Sequence, residues 1–362
     1  MNNKKVFFFY PSFEKGGATK ILINVVNYLL KKKIKIVLFS FNAKYKDFSN
    51  SNNLKIIGSK KKNKTRFYLN ILTIINLFKY LVKCREKVLI FSFQSHLPAI
   101  FIAKILNKKI IIRNSEEIIG ATRYADKKVS ALVTFFLKII FYNFSNKIIA
   151  ISKKSKTSLE KIILNKNKIK LIYNPYLLNH KKKYFRKNNY KRRFNILCIG
   201  RFTKQKNFSL IIKAINQLSK KHSKIKLTLI GDGPKFNNFK KFIGKNINIL
   251  SWKNNLKNYF LKSDLFILPS YYEGLPNALI DAVHYGVPSI SSDCSGGKDI
   301  LLNNEGGFIF PINNLEKLKK KISFAILNPK VSAKKALYAK KHSFRFSISN
   351  CKKFYEIINK EF

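Results

Sequence analysis

Leu268-Pro-Ser-Tyr-Tyr-Glu-Gly-Leu-Pro-Asn-Ala-Leu-Ile-Asp-Ala-Val-His-Tyr-Gly-Val-Pro288 is the stretch that best defines the fold of this 362-residue chain. It begins at the end of an apolar run, residues 265–268, which predicts a buried strand. Pro276 suits the first turn of a helix and Gly286 suits the residue after its last turn, so we expect a helix between them. A strand, a short loop and a helix in this order indicate an α/β protein.

The amino end of the predicted helix has the chemistry of an anion-binding site. Its first N–H groups lack partners within the helix and carry a partial positive charge, which favours a phosphate group. Two carboxylates accompany it, Glu273 in the loop and Asp281 in the helix. Carboxylates accept hydrogen bonds from hydroxyl groups. This combination indicates a sugar nucleotide as the ligand.

The alternation of apolar strands and amphipathic helices occurs in both halves of the chain. A chain of 362 residues exceeds one typical core, so we predict two α/β domains. The domains are expected at residues 1–178 and 194–340, joined by a basic linker at 179–193 and followed by a helical segment at 341–362. Predicted strands lie at 6–10, 34–39, 54–57, 88–93, 110–112, 148–151, 170–173, 194–199, 227–230, 247–250, 265–268 and 289–292.

The charge balance is strongly basic, with 73 Lys and Arg against 17 Asp and Glu and a net charge of +56. Three interpretations are open: a solvated surface of biased composition, attraction to an anionic membrane or a diphosphate lipid, and nucleic-acid binding. The cations are scattered along the chain and no nucleic-acid-binding module is recognisable. We therefore expect no nucleic-acid partner.

Cysteine spacing and hydropathy indicate a cytoplasmic chain. Cys84, Cys198, Cys294 and Cys351 are far apart and form no C-x-x-C pair, which is typical of reduced cysteines and not of a zinc site. The apolar run at residues 6–10 is too short for a signal peptide. No apolar run approaches the roughly 20 residues that a membrane span needs.

Two predicted helices, at residues 67–83 and 127–144, are more aromatic than a core requires. Simple burial against the sheet is one interpretation. Docking at a membrane interface through an apolar surface with surrounding lysines is the other. The second would make the chain a peripheral protein on the inner face of the cytoplasmic membrane.

Polar residues and glycines follow several predicted strands of the first half. Gly16 and Gly17 belong to neither a dinucleotide fingerprint nor a P-loop, and they fit either a tight turn or the close approach of a ligand. Arg113 and His96 stand at strand exits, where such a fold places ligand contacts. A polar loop without chemistry is the alternative for both.

Several motifs together resemble the retaining glycosyltransferases of family 4, also called group 1. They occur in the family's order along nearly the whole chain, and those of the carboxyl half are the most specific. The resemblance implies the GT-B fold, in which two Rossmann-like domains with parallel sheets face each other across a cleft. The motifs are Gly16-Gly-Ala18, Ile172-Tyr-Asn-Pro175, Gly200-Arg-Phe-Thr-Lys-Gln-Lys-Asn207, Gly231-Asp-Gly-Pro234, Pro269-Ser270, Glu273-Gly-Leu-Pro-Asn-Ala-Leu-Ile-Asp281 and Gly286-Val-Pro288.

The resemblance also implies a role for individual residues. The first domain would bind the acceptor, and the second would bind the nucleotide sugar. Asp281 departs from the family's usual pattern of two glutamates, because its side chain is one methylene shorter. The implied roles are diphosphate binding by Arg201 and Lys206, a contact of Glu273 with the transferred sugar, diphosphate capping by the backbone of Leu275, Pro276 and Asn277, an approach of Gly16 and Gly17 from the other domain, ribose binding by Asp281, and base binding near Trp252.

No cofactor or metal is expected besides the donor substrate. The sequence has no D-x-D pair and no His and Asp cluster with ligand spacing. Cleavage of a sugar–diphosphate bond leaves negative charge on the leaving group, which must be stabilised. Arg201, Lys206 and the amino end of the helix after Pro276 would replace the cation.

The resemblance therefore implies a metal-independent, retaining transferase. It would move a hexose or N-acetylhexosamine from a nucleotide sugar, for which we expect a UDP-sugar, to a glycan acceptor in the synthesis of cell-surface polysaccharide or glycan. A lipid-linked acceptor fits the positive charge. The alternatives are a nucleotide-sugar epimerase or a phosphorylase on the same fold, and a basic nucleic-acid-binding protein.

Overall fold

The computed structural model describes residues 4–14, 16–58, 65–178 and 193–362. The chain divides into two compact units that are not continuous in sequence. The first comprises Met1–Ile118, Val129–Leu178 and Phe346–Phe362, and the second comprises Ile119–Lys128 and Asn179–Arg345. Most of the predicted basic linker, residues 179–192, lies outside the described residues, as do residues 60–64 of a lysine-rich run.

The first unit is built on a seven-stranded parallel sheet with the order β3-β2-β1-β4-β5-β6-β7. Its strands are continuous apolar runs because both faces of the sheet are covered. The strands are β1 Lys5–Ser12, β2 Lys35–Phe41, β3 Leu54–Ile57, β4 Val88–Ser92, β5 Lys109–Asn114, β6 Lys147–Ala150 and β7 Ile169–Leu171. Its helices up to the last strand are α1 Gly17–Lys31, α2 Arg66–Lys83, α3 His96–Ile105, α5 Lys128–Tyr142 and α6 Lys153–Glu160. Helix α4, Ile118–Arg123, lies between β5 and α5 in sequence but belongs to the second unit from Ile119 onward.

The direction in which the chain crosses this sheet decides the face on which each helix lies. Helix α1 joins β1 to β2, whereas α2, α3 and α5 lead the chain the opposite way, towards β4, β5 and β6. Right-handed crossovers then place α2, α3 and α5 on the face opposite α1. The core on their side contains Leu77 and Leu81 of α2, Ile100 of α3 and Tyr142 of α5.

The second unit has a six-stranded parallel sheet with the order β10-β9-β8-β11-β12-β13. One face of the sheet packs against α7 and α12 in a single apolar core. The strands are β8 Phe194–Ile199, β9 Ile225–Ile230, β10 Ile247–Leu250, β11 Leu265–Leu268, β12 Ser289–Ser292 and β13 Phe308–Phe310. The helices are α7 Phe208–Leu218, α8 Phe236–Phe239, α9 Lys257–Leu261, α10 Asn277–His284, α11 Ser295–Ile300, α12 Leu315–Leu327 and α13 Pro329–Lys341.

The carboxyl-terminal helix α14, Cys351–Glu361, returns to the first unit. It packs beside α1, and the Cys351 thiol contacts the backbone oxygen of Asn24 at 3.5 Å. Phe354 and Ile358 form its buried stripe.

Two parallel α/β sheets confirm the predicted Rossmann-like fold class. In each sheet the strand order reverses once, between β1 and β4 in the first unit and between β8 and β11 in the second. Ligands of such sheets bind outside the carboxyl ends of the strands at this reversal. Within the described ranges, no helix is both long and apolar enough to cross a bilayer.

Candidate functional site

The loops after β8 and β11 meet at the reversal point of the second sheet. Lys206 and Glu273, which are 67 positions apart in sequence, are joined there: Nζ of Lys206 lies 2.5 Å from Oε1 of Glu273. Only 16% of the Lys206 side chain and 8% of the Glu273 side chain are exposed. The two residues therefore form a largely buried ion pair.

Hydrogen bonds from neighbouring loops hold Glu273 in place. The Ser270 hydroxyl donates to Oε1 of Glu273 at 2.7 Å. The hydroxyl of Ser292, at the end of β12, donates to the backbone oxygen of Ser270 at 2.5 Å. Gln205 connects the loops twice. Its side-chain Nε2 donates to the backbone oxygen of Tyr272 at 2.9 Å, and its backbone oxygen accepts from the backbone N–H of Tyr271 at 2.8 Å. The carboxylate is thus positioned before any ligand arrives.

Glycines allow the loops after β8 and β9 to pack backbone against backbone. Gly231 has φ +159°, and a Cβ built there would lie 1.9 Å from the oxygen of Gly200. A Cβ on Gly200 would lie 3.0 Å from Cε of Lys206. The Gly231 and Gly200 positions therefore set the path of the loop that carries Lys206.

Helix α10 begins directly after this loop system and ends before Gly286, as predicted, but its first helical residue is Asn277 and not Pro276. Pro276 is the residue before its first turn and provides no side-chain acceptor for the first N–H groups. Leu275 and Pro276 are buried, whereas Asn277 and Asp281 are partly exposed one helical turn apart. The side-chain oxygen of Asn277 is buried without a hydrogen-bond partner among the described residues. The amino end of α10 is therefore uncapped by its own sequence.

The remaining predicted residues are more dispersed. Arg201 is exposed in the loop after β8. Trp252 is half-exposed after β10, and its backbone N–H donates to Oδ1 of Asp232 at 3.1 Å. Gly16 and Gly17 belong to the first unit. A Cβ on Gly16 would meet no atom within 4 Å, and its φ of 164° is extended, so neither space nor backbone conformation requires glycine there.

The negative charge of Glu273 affects the ionisation of the nearby Cys294 thiol. Burial, and secondly the Glu273 carboxylate, raise the pKa of the Cys294 thiol. The four cysteines are all free, and burial also raises the pKa of Cys351 to about 12. A thiolate nucleophile at Cys294 is therefore not available at neutral pH.

A segment from the first half of the chain packs on the loop before Glu273. The rings of Tyr124 and Tyr271 stack with centroids 5.0 Å apart. The Tyr271 hydroxyl donates to Oδ1 of Asn313 at 3.1 Å. Desolvation, and secondly Tyr124, raise the pKa of Tyr271. No sequence motif marks Tyr124, and only the fold brings it to this loop.

Arg113, at the end of β5 in the first unit, is almost completely buried at 1% exposure. Its Nη2 donates to Oδ1 of Asn174 at 2.5 Å, and its guanidinium carbon lies 5.2 Å from the centroid of the Phe93 ring. Nε and Nη1 have no hydrogen-bond partner among the described residues. Burial lowers the pKa of Arg113 to about 10.

His96 begins α3 beside Arg113. Its Nδ1 and the Ser92 hydroxyl are 2.8 Å apart, and its ring packs edge-on against Tyr142. Desolvation, and then the charges of Lys138 and Arg113, lower the pKa of His96 to about 3. His96 is therefore neutral over the physiological pH range.

A cavity of about 520 Å³ in the second unit lies away from the predicted residues. It opens beside the first residues of β8 and is lined mainly by amide and lysine side chains, such as Asn195, Asn248, Asn258 and Lys226. The ion pair of Lys206 and Glu273 lies instead at the carboxyl ends of the strands. No group of three or more His, Cys, Asp or Glu residues in the described part of the chain could hold a metal ion.

Sequence reasoning assigned no role to Ser270 and Gln205. Ser270 belongs to a quoted motif, but its bond to Glu273 depends on the turn between them. Gln205 contacts a loop more than 60 positions away, which no local pattern indicates.

Comparison with known proteins finds a family match for the second half of the chain. Residues 180–342 match the family described as Glycosyl transferases group 1. An uncharacterized glycosyltransferase of Haemophilus influenzae is 25% identical over 336 residues, which cover 91% of this chain and 92% of the relative. A relative from Campylobacter jejuni, 24% identical over 96% of both chains, is named GalNAc-alpha-(1->4)-GalNAc-alpha-(1->3)-diNAcBac-PP-undecaprenol alpha-1,4-N-acetyl-D-galactosaminyltransferase.

Among solved structures, Anabaena HepE in complex with UDP-glucose superposes with a TM-score of 0.75 at 15% identity, over 98% of this chain and 99% of HepE. This likeness extends to the whole chain and confirms the fold inferred from the motifs. The chain thus adopts the GT-B fold, and its residues 180–342 match the glycosyl transferases of group 1, the family that the motifs of the whole chain resemble.

Proposed function

We propose that this glycosyltransferase is retaining, is independent of metal, and moves a hexose or N-acetylhexosamine from a UDP-sugar to a hydroxyl group of a glycan acceptor. The observation that carries the proposal is the buried pair of Lys206 and Glu273 at the reversal point of the second sheet. HepE, which shares the fold, was solved with UDP-glucose, and the Campylobacter jejuni relative is named for an acceptor on undecaprenol diphosphate. These names support a UDP donor and a lipid-linked acceptor.

Lys206 and Arg201 would stabilise the leaving diphosphate. During transfer, the bond between the sugar C1 and the diphosphate oxygen breaks, and its electron pair stays on the diphosphate. The acceptor oxygen bonds to C1, and the acceptor proton passes to the departing phosphate oxygen. Cations and uncapped N–H groups at this oxygen stabilise the developing charge. The Lys206 ammonium group and the amino end of α10 supply such groups, which supports metal independence.

Glu273 would contact the transferred sugar close to C1. A carboxylate there accepts a hydrogen bond from a sugar hydroxyl and stabilises positive charge that develops on the ring in the transition state. Ser270 and Lys206 hold its Oε1 at 2.7 Å and 2.5 Å. A group held in this way stabilises the transition state without first having to reorganise.

The other proposed roles follow the arrangement of α10. Asp281 lies one turn after Asn277 on the partly exposed face, where its carboxylate would accept bonds from the ribose hydroxyls. Leu275, Pro276 and Asn277 would cap the diphosphate with their backbone. Trp252 would lie beside the base. Gly16 and Gly17 would approach the donor, which the open space around Gly16 supports over a tight-turn role.

The proposal includes a cytoplasmic location, peripheral on the inner face of the membrane, because a lipid-linked acceptor is found there. It includes no nucleic-acid partner. The positive charge of +56 serves, in this proposal, to attract the anionic membrane surface.

Transfer assays with purified protein test the proposal. The protein is incubated with a panel of UDP-sugars and an extract of lipid-linked glycans in the presence of EDTA, and products are identified by mass spectrometry and NMR. We expect one UDP-sugar to be consumed only with acceptor and to give an α-linked product. Glu273→Gln is expected to lower kcat/KM by roughly a hundredfold or more, as expected for loss of a strong transition-state interaction. Glu86→Gln, which removes an exposed carboxylate paired with Lys5 at 3.1 Å, serves as the control.

Four results would contradict parts of the proposal. Conversion of the donor without an acceptor would indicate an epimerase. A β-linked product would exclude retention, and activity abolished by EDTA would exclude metal independence. Salt-sensitive nucleic-acid binding that survives Glu273→Gln, in a protein without transfer, would indicate the binding-protein alternative.

A further inference from the structure

We propose that one surface of the first unit, formed by α2, α3 and α5, docks on an anionic lipid bilayer. This inference deepens the proposed function and rests on it, because a lipid-linked acceptor lies at such a bilayer. We call this surface the apolar face and define it by the exposed apolar side chains of the three helices. They are Phe67, Ile71, Ile75, Phe78 and Val82 of α2, Phe101 and Ile105 of α3, and Val129, Leu132, Val133, Phe136, Leu137 and Ile140 of α5.

Helix α2 has two apolar stripes, and only one of them is used by the core. Its exposed residues follow each other at intervals of four, four, three and four, which places them on one side of the helix. They are between 39% and 75% exposed. The other stripe, with Leu69, Leu77 and Leu81, is buried against the sheet. Burial in the core therefore explains the inner stripe and leaves the outer one without a function.

Helix α5 repeats this arrangement more strongly. Its exposed residues at positions 129, 132, 133, 136, 137 and 140 form a single helical stripe and are between 37% and 76% exposed. Tyr142 anchors the opposite side in the core. A surface helix normally presents polar side chains outward, so the exposure of this stripe indicates a partner.

Helix α3 joins the two stripes into one surface. It packs against α2, and its Phe101 ring lies 6.2 Å from the Phe141 ring at the end of α5. Phe101 and Ile105 are about half exposed between the other two stripes. All three helices lie on the same side of the sheet, as their crossovers require. A contiguous apolar surface on this scale marks an interaction site in a soluble protein.

The charges of the apolar face favour an anionic bilayer. None of the three helices contains Asp or Glu. Lys79, Lys83 and Lys104 are exposed on them, and Nζ of Lys104 lies 5.3 Å from the centroid of the Phe144 ring just beyond α5. Lysines beside an apolar stripe bind anionic headgroups while the apolar side chains enter the boundary with the acyl chains.

A second copy of the chain is a poorer occupant. Each copy carries a net charge of +56, and pairing two such faces would bring their lysines together. Each of the three helices also buries one side in the unit and exposes its apolar stripe on the other, so all three would lie along the bilayer surface. The geometry therefore points to contact with the interface and not to insertion across it.

Co-sedimentation with lipid vesicles tests the inference. Purified protein is mixed with vesicles of phosphatidylcholine alone or with about 30% phosphatidylglycerol, at roughly 0.15 M and 0.5 M NaCl, in the absence of donor. The double variant Phe78→Asp with Phe136→Asp places a carboxylate on α2 and on α5. The double variant Leu327→Asp with Leu337→Asp makes the same change at exposed leucines of the second unit and is the matched control.

We expect the wild type to bind the vesicles that contain phosphatidylglycerol and to keep part of that binding at 0.5 M NaCl, where long-range charge attraction is screened. The Phe78 and Phe136 variant is expected to lower the partition coefficient about tenfold or more, because it removes two aromatic side chains from the interface and adds two charges that the headgroups repel. The control variant should stay within about twofold of wild type, since its sites lie off the apolar face.

Thermal stability and stabilisation by UDP are measured on each variant to verify the fold. If the aspartate substitutions disturb folding, the triple variant Lys79→Gln, Lys83→Gln and Lys104→Gln is tested in place of the Phe78 and Phe136 variant. The triple variant should bind vesicles with phosphatidylglycerol more weakly, and its binding to vesicles of phosphatidylcholine alone should not change.

Equal losses in both double variants, or unchanged vesicle binding in the Phe78 and Phe136 variant, would overturn the inference in favour of general charge attraction. A dimer by light scattering that the same variant dissociates would overturn it in favour of a second copy. Because no donor is present in the vesicle assay, a failure of nucleotide binding would refute the proposed function without changing this result.

Discussion

Replacing Lys206 by Met should weaken the second unit and its donor site together. The substitution keeps the volume of the side-chain stem but removes the ammonium group that lies 2.5 Å from Oε1 of Glu273. A charge-assisted hydrogen bond contributes about 1.5–3 kcal/mol, and breaking a fully buried ion pair costs about 3–5 kcal/mol. Since 16% of the Lys206 side chain is exposed, we expect a loss of about 2–3 kcal/mol.

A double-mutant cycle with Glu273→Gln separates the pair from other effects. Glutamine still accepts a hydrogen bond from Ser270, so this single variant should cost less, about 1–2 kcal/mol. Lys206→Met and Glu273→Gln together should show a coupling of about 1–3 kcal/mol, because the second substitution removes the unpaired charge that the first one leaves.

Urea unfolding followed by Trp252 fluorescence is the assay. Trp252 is the single tryptophan of the chain and belongs to the second unit, so its signal reports the unfolding of that unit. The control cycle uses Lys319 and Glu316 of α12, whose atoms are 2.7 Å apart but whose Glu side chain is 67% exposed. That exposed pair should show a coupling of about 0.5 kcal/mol or less. A coupling for Lys206 and Glu273 no larger than that of the control would refute the reasoning.

Three further predictions concern packing, thiols and pH. Gly231→Ala should destabilise the second unit by about 3 kcal/mol or more, because its Cβ would lie 1.9 Å from the backbone oxygen of Gly200. Gly244→Ala, in open space, should be neutral or slightly stabilising, and the urea midpoints of the two variants test this difference. A thiol reagent should modify Cys84 alone in the native protein and all four cysteines after denaturation, because the other three are buried, and a second fast thiol would contradict this. His96 has a pKa of about 3 in the folded state, against an ordinary value of 6.5. As the pH drops below about 6.5, the unfolded state is therefore protonated first, and the free energy of unfolding falls by up to about 1.4 kcal/mol per pH unit. Urea unfolding at pH 6.5 and 5 should show a smaller fall for His96→Asn, and equal falls would contradict the burial argument.

Continuous apolar runs made the strands predictable from sequence. The run at residues 54–57 is β3 and the run at 194–199 is β8. Strands that are covered on both faces are continuously apolar, so the ends of the apolar run mark the ends of the strand. Helix α14 shows the limit of such patterns. Its amphipathic sequence predicts a helix with one apolar face, but not that Phe354 and Ile358 pack in the first unit.

The resemblance identified the loops of the candidate site, but the sequence could not show how they fit together. Lys206 and Glu273 were each named, yet their ion pair spans 67 positions and depends on the strand order. Arg113 stood at a strand exit, where both a ligand contact and a polar loop were open. The structure shows that it is buried and bonded to Asn174, 61 positions away. Long-range contacts of this kind leave no local pattern in the sequence.

Stabilisation of the protein by nucleotides tests most directly the central claim, that the second unit binds a nucleotide diphosphate sugar around Lys206. Thermal unfolding is measured with UDP, GDP, UDP-glucose, UDP-galactose and their N-acetyl forms. A ligand at 100 times its Kd adds about 2.7 kcal/mol of stability. We expect stabilisation by UDP and at least one UDP-sugar, with the Kd raised roughly ten- to a hundredfold in Lys206→Met and unchanged in Leu337→Asp. No shift with any nucleotide in the folded protein, or an equal shift in Lys206→Met, would contradict the claim.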